Sequence, residues 1–139
     1  MGDLVFELYR NKVPHSVDNI LANANGEKSY KGTALNKGYP GVVLQGGRIG
    51  DACAEVRHTD ENLELRHFKR GQLTMANNGE NSNGSEFMIT LGKADMLDGY
   101  HQVVGELVEG EDVLREAEQS VTRHGTVADE IRIENSGTR

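Results

Sequence analysis

The 139-residue sequence predicts a mainly β fold, an antiparallel β-barrel capped by two α-helices. Short apolar stretches alternate with Gly and Asn clusters over most of the chain, a pattern typical of strands joined by tight turns. Two other segments carry apolar residues at helical spacing. The connections between strands are too short for parallel crossovers, which need about a dozen residues or more. A parallel nucleotide-binding sheet is therefore disfavoured.

The predicted elements begin with a strand at Leu4–Tyr9, where β-branched and aromatic residues favour extended backbone. A helix is predicted over residues 14–24, since Pro14 suits a first helical turn and Asn25-Gly26 can end a helix in the left-handed conformation. A second helix, Glu111–Gln119, has one apolar face and an acidic first turn. Further strands are predicted at Gly41–Gln45, Leu63–Arg66, Gln72–Ala76, Glu86–Leu91, Gln102–Leu107 and Glu130–Glu134.

Composition narrows the classes of function. The chain has 15 Lys and Arg against 22 Asp and Glu, a formal charge of -7, so a nucleic-acid partner is not expected. Aromatic residues make up only 5%, which disfavours stacking on bases or sugars. Without an apolar run of about 20 residues no membrane span is expected, and the single Cys53 suits a reducing compartment. We expect one domain over residues 1–139 and an intracellular, cytoplasmic location.

Metal and hydrolase chemistry are not favoured by the spacing of the polar residues. The histidines show no pairing of the kind zinc ligands favour. They are His15, His58, His67, His101 and His124. A triad drawn from Ser82, Ser85, Asp98 and His101 has no nucleophile elbow to support it. No metal and no cofactor are therefore expected.

One segment carries a specific signature. Residues 75–90 read MANNGENSNGSEFMIT and closely resemble the cyclophilin signature MANxGxNTNGSQFFIT. Other similar pieces occur in the family's order before and after it. They are Phe6-Glu7-Leu8, Tyr30-Lys31-Gly32, Gln45-Gly46-Gly47, and Leu97-Asp98-Gly99 with His101. The resemblance to cyclophilins covers nearly the whole chain.

The resemblance implies a cyclophilin-like, eight-stranded antiparallel barrel with two capping helices, and prolyl cis/trans isomerisation as the activity. The match begins at the family's second strand, so the usual first strand is expected to be missing. Its absence would expose barrel edges at Leu4–Tyr9 and Glu130–Glu134, which an upstream segment or a partner strand would cover.

The resemblance also assigns a site in which several positions are replaced. Lys37 stands where the family has its catalytic arginine, and an ammonium lacks the planar fork of a guanidinium. Val42 and Met88 stand at pocket aromatics, and Met96 stands at the tryptophan that contacts cyclosporin. Glu86 replaces the signature glutamine. The implied peptide-binding set is Val42, Gln45, Ala76, Asn77, Asn78, Glu86, Met88, Met96, Leu97 and His101.

Three functions follow as hypotheses. The first is a cyclophilin-like domain that binds proline-containing peptides with weak or lost isomerase activity, because the arginine and the aromatics are replaced. The second is an active prolyl isomerase that uses Lys37 and assists protein folding. The third is an assembly module that pairs with a protein partner through an exposed edge strand. Cyclosporin is expected to bind poorly.

Overall fold

The structure is a computed structural model that describes residues 1–26, 29–49, 60–77, 79, 84–128 and 130–138. In these residues six strands form one sheet: β1 (Val5–Leu8), β2 (Lys37–Tyr39), β3 (Val43–Gly46), β4 (Gln72–Met75), β5 (Phe87–Thr90) and β6 (Val103–Glu109). The spatial order is β1-β6-β4-β5-β3-β2, and every pairing is antiparallel. The prediction of a mainly β, antiparallel fold is confirmed.

The two helices agree closely with the predictions. Helix α1 is Pro14–Asn25, with Pro14 in its first turn, and helix α2 is Glu111–Glu118. One detail was wrong, because Gly26 after α1 is extended, with φ -82°, and not left-handed. The apolar face of α2 is buried as its spacing predicted, through Val113, Leu114 and Ala117.

The N-terminus of α1 is capped by a distant side chain. The Glu61 carboxylate accepts hydrogen bonds from the backbone N–H groups of His15 (3.0 Å) and Ser16 (2.6 Å). These are donors that a helix cannot satisfy internally. Burial favours the protonated form of Glu61, but the hydrogen bonds from Ser16 and His15, together with the nearby His15 side chain, outweigh burial and hold the pKa of this carboxyl below its usual value.

Two predicted strands are not strands. Residues 63–66 form none, because the amides around them pair with side chains: Glu61 N and Asn62 N donate to Gln102 Oε1, and Glu64 N donates to Asn62 Oδ1. In the segment 130–134 only Arg132 forms a bridge, to Ala34. No strand in the described residues therefore links β1 to β2, and the sheet is not closed into a barrel.

Strand β2 was not predicted, and a tight turn explains it. Val42 N donates to Tyr39 O at 3.0 Å across Pro40-Gly41, and Gly41 has φ +74°. Proline followed by a glycine at positive φ is typical of a type II turn, which reverses the chain here. The hairpin formed by β2 and β3 places Lys37 opposite Gln45.

The sheet separates two apolar clusters. Alternate residues of a strand point to opposite faces, so Leu44 and Ile89 enter the main core beneath the sheet. Met75 and Leu114 are fully buried in the same core. Val43 and Met88, one position away, belong to a second, smaller cluster on the other face. That outer face carries the candidate site.

Candidate functional site

The strand register assembles a row of side chains across the outer face. Lys37 pairs with Gln45, Gln45 pairs with Met88, and Met88 pairs with Thr74. Directly paired residues of antiparallel strands project to the same face. The row therefore begins with the Lys37 ammonium group at the edge strand and continues with the Gln45 amide. It ends with the apolar Met88 side chain and the buried Thr74 hydroxyl.

An apolar floor lies beside this row. Its centre is Val43, Ala76 and Met88, which are 4%, 6% and 5% exposed. Val42 and Leu97 are partly buried and pack against them. Val43 and Met88 lie in β3 and β5, Val42 precedes β3, Ala76 follows β4, and Leu97 ends the short 3-10 helix Asp95–Leu97. We call this cluster, together with Gln45 at its polar edge, the outer groove.

Four of the five floor residues were site candidates from the sequence, and Val43 was missed. Strand alternation is the signal that could have found it: Leu44 faces the core, so Val43 and Gln45 must face outward together. The sequence assigned Val42 to one of the two lost aromatic positions, although its neighbour Val43 is the more buried of the two valines.

Gln45 and Glu86 form the polar edge of the outer groove. Gln45 Nε2 donates to Glu86 Oε2 at 2.8 Å, and Arg48 Nε lies 3.8 Å from Glu86 Oε1. The Glu86 side chain is 22% exposed, so this contact is only partly screened by water. The two carboxylate oxygens of Glu86 thus serve two different partners.

Asn77 and His101 make local hydrogen bonds at the far end of the groove. Asn77 Nδ2 donates to Tyr100 O at 2.8 Å, and its Oδ1 accepts from Gly79 N at 3.2 Å. His101 Nδ1 lies 2.9 Å from Met75 O, and because a carbonyl can only accept, Nδ1 carries the proton. Both side chains anchor the turn at residues 98–101 to the end of β4.

Lys37 and Met96 are more exposed than the other candidates. Lys37 begins the edge strand β2 and is exposed, and Met96 on the 3-10 helix is 59% exposed. Neither side chain belongs to the apolar floor. Asn78 lies outside the described residues, as do Cys53, His58 and Ser82.

A buried histidine bonds to Thr74, on the same face of the sheet as the outer groove. His67 is completely buried, with Nδ1 2.8 Å from Asp98 Oδ1 and Nε2 2.8 Å from Thr74 Oγ1. Thr74 Oγ1 in turn donates to Gln102 O at 2.8 Å. Burial lowers the pKa of His67, whereas the hydrogen bond from its backbone N–H lowers the pKa of Asp98. The imidazole therefore ties the Leu97–Asp98 turn to β4.

No helix among residues 1–26, 29–49, 60–77, 79, 84–128 and 130–138 has the length and apolar character needed to cross a bilayer. The same residues contain no group of three or more His, Cys, Asp or Glu side chains placed to hold a metal ion.

The sequence model of the family described as cyclophilin type peptidyl-prolyl cis-trans isomerase/CLD matches residues 1–138. The chain belongs to the cyclophilin family. Its function is accordingly of the peptidyl-prolyl isomerase kind, and cyclophilins generally bind proline-containing peptides. Four of the positions that the resemblance assigns to peptide binding lie at the outer groove of this cyclophilin. Gln45, Ala76 and Leu97 keep the family's residue, and Met88 replaces an aromatic residue.

Proposed function

We propose that this cyclophilin binds proline-containing peptide segments in the outer groove, with weak or lost isomerase activity. The observation that carries the proposal is the apolar floor centred on Val43, Ala76 and Met88, with the Gln45 amide at its edge. A proline ring needs apolar surface, and an extended peptide needs hydrogen-bonding partners for its backbone. In the outer groove the partly buried Val42 and Leu97 offer apolar surface beside the Gln45 amide.

The weak activity follows from what must be stabilised. Rotation about an X-Pro bond meets a barrier of about 20 kcal/mol, because the amide loses its resonance at the twisted geometry. A fixed donor aimed at the prolyl nitrogen favours that geometry. Lys37, which is exposed at the start of β2, offers a flexible, strongly hydrated point charge in place of a planar guanidinium. Lys37 is therefore expected to supply little of this stabilisation.

A second function, an active isomerase that uses Lys37 and assists protein folding, is favoured by one observation. Lys37 pairs directly with Gln45 and so projects to the face that carries the outer groove. A cation there lies on the correct side of the sheet to reach a bound peptide.

The deciding experiment is an NMR exchange assay on a short Xaa-Pro peptide, with chemical-shift titration of the same peptide to measure binding. Wild type, Lys37→Ala and Lys37→Arg are compared, with Lys12→Ala as an exposed lysine on another surface. Binding with little acceleration in wild type, and a gain in Lys37→Arg, would support the proposal. Full acceleration that is lost in Lys37→Ala but kept in Lys12→Ala would establish the active isomerase instead.

Absence of binding would contradict both functions and leave pairing through an edge strand as the remaining hypothesis. Strands β1 and β2 are the two edges of the sheet.

Cyclosporin is expected to bind weakly, with a Kd above about 1 μM, because Met96 has no indole N–H to donate.

A further inference from the structure

Glu86 is held rigidly although it lies next to the outer groove. Its backbone carbonyl accepts from Ala76 N at 3.1 Å, and the carbonyl of Ser85 accepts from the Tyr30 hydroxyl at 2.8 Å. On its other side, the Phe87 ring packs edge-on against Tyr30, with 5.3 Å between the ring centroids. The backbone around Glu86 is thus fixed from both sides, so its side chain starts from a defined position.

The carboxylate determines how the Gln45 amide is oriented. An ionised carboxylate can only accept hydrogen bonds, so the group that faces Glu86 Oε2 at 2.8 Å must be the NH₂ of Gln45 and not its carbonyl. In a pair of two amides either orientation would be possible. Glutamate at position 86, where the family signature has glutamine, therefore removes this ambiguity.

Arg48 partly balances the negative charge of Glu86. Its Nε lies 3.8 Å from Glu86 Oε1, the oxygen that Gln45 does not use. The Arg48 side chain is 43% exposed, so the ion pair is loose and contributes little by itself. It does offset the charge of a carboxylate that would otherwise lie unbalanced beside an apolar floor.

The carbonyl of Gln45 is the remaining group of the amide. In the part of the chain that the structure describes, no group donates a hydrogen bond to Gln45 Oε1. Gln45 lies between Lys37 and Met88 in the row across the outer face. Oε1 is thus an acceptor at the polar edge of the outer groove, ready for a donor that a ligand brings.

We propose that Glu86 is a positioning residue, which fixes the Gln45 amide so that its carbonyl oxygen accepts a backbone N–H of the bound peptide. This inference rests on the proposed peptide binding and adds the kind of group that the groove recognises. A backbone N–H next to the proline is a donor that proline itself lacks. The groove would then prefer segments in which an ordinary residue flanks the proline.

The orientation is tested first, without any peptide. One side-chain Nε2 proton of Gln45 should resonate further downfield in wild type than in Glu86→Gln, because a carboxylate is a stronger hydrogen-bond acceptor than a neutral amide. Glu116→Gln, which changes an exposed glutamate on α2, should leave this signal as in wild type. A Gln45 side-chain signal that is the same in wild type and Glu86→Gln would overturn the proposal.

Peptide recognition is tested by combining a substitution in the protein, Glu86→Gln, with methylation of the peptide backbone. A proline-containing peptide is compared with analogues methylated at one flanking backbone nitrogen at a time. One methylation should weaken binding to wild type and Glu116→Gln about three- to ten-fold, the usual size of one hydrogen bond. The penalty should largely disappear in Glu86→Gln, which should bind the unmodified peptide less tightly and show an unchanged melting temperature. Equal penalties in Glu86→Gln and wild type would overturn the proposal.

Failure of the proposed function has a different signature. If wild type binds no peptide, the peptide-recognition part of the inference fails together with the proposed function. The comparison of the Gln45 side-chain signals in wild type and Glu86→Gln would still decide whether Glu86 orients the amide. Peptide binding with equal methylation penalties, by contrast, would leave the proposed function intact and reject only the role of Glu86.

Discussion

His67 and Asp98 are joined by two hydrogen bonds to the same carboxylate oxygen. Asp98 Oδ1 accepts from the backbone N–H of His67 at 2.6 Å and from ring Nδ1 at 2.8 Å. Asp98 directly follows the 3-10 helix that carries Leu97, and His67 precedes β4. This one carboxylate therefore fixes a wall of the outer groove to the strand that runs beneath it.

Asp98→Asn should lower the free energy of unfolding by about 1–2 kcal/mol, because two hydrogen bonds lose their ionised acceptor. Asp95→Asn is the matched control, since Asp95 is exposed and its only ion pair among the described contacts, with Lys93, spans 4.0 Å. Urea denaturation monitored by circular dichroism measures both variants. Equal stabilities of the two variants would show that the Asp98 carboxylate contributes little.

The stability of the protein should fall in two stages as the pH is lowered. The pKa of His67 is below its ordinary 6.5, so the unfolded chain binds this proton more readily and stability declines from about pH 6.5 downward. The pKa values of Glu61 and Asp98 are below their ordinary 4.5 and 3.8. Their contributions are present above those values and are lost as the pH falls through the lower values of the folded state.

Denaturation midpoints measured between about pH 8 and pH 3 test this pattern. His67→Gln should remove the first decline and keep the second, provided that the variant retains the native circular dichroism spectrum. Stability that rises between pH 7 and pH 5 in wild type would contradict the assigned direction for His67.

The sequence predicted the elements whose local pattern agrees with their packing. The helical spacing of Val113, Leu114 and Ala117 matched the buried face of α2. Residues 63–66 resembled a strand, but Gln102 and Asn62 take the nearby amides, and no local pattern contains that information. The segment 130–134 resembled a strand too, yet its pairing depends on a neighbour distant in sequence.

Part of the candidate site could likewise be predicted from the sequence, and part could not. The signature motif located Ala76 and Met88, and the register of the strands places them next to each other. The contact between Gln45 and Glu86 could not be predicted, because it depends on two side-chain orientations across 41 positions of sequence. Alternation along β3 would have predicted that Val43 faces outward, once Leu44 was assigned to the core.

Gly46→Ala should destabilise the protein strongly. A Cβ at this position would lie 2.3 Å from Ala34 O and 2.6 Å from Leu35 Cα, and neither backbone atom can move without displacing β3. We expect a loss of at least about 2 kcal/mol in the free energy of unfolding, at the upper end for overpacking. Gly137→Ala, whose Cβ would meet only Asn25 Oδ1 at 3.5 Å, should change stability little. Urea denaturation of both variants decides, and similar values would contradict this packing.

Restoring aromatic rings to the outer groove should strengthen the binding of proline-containing peptides. Met88 is 5% exposed and Val42 is partly buried, so Met88→Phe adds ring surface within the floor and Val42→Phe adds it at the edge of the floor. We expect binding about five- to ten-fold tighter, since an aromatic contact contributes about 1 kcal/mol beyond its buried area. Val108→Phe, at a position 55% exposed on β6, controls for a general gain in apolar surface. NMR titration with one peptide compares the proteins, and equal affinity of the double variant and wild type would place the proline ring elsewhere.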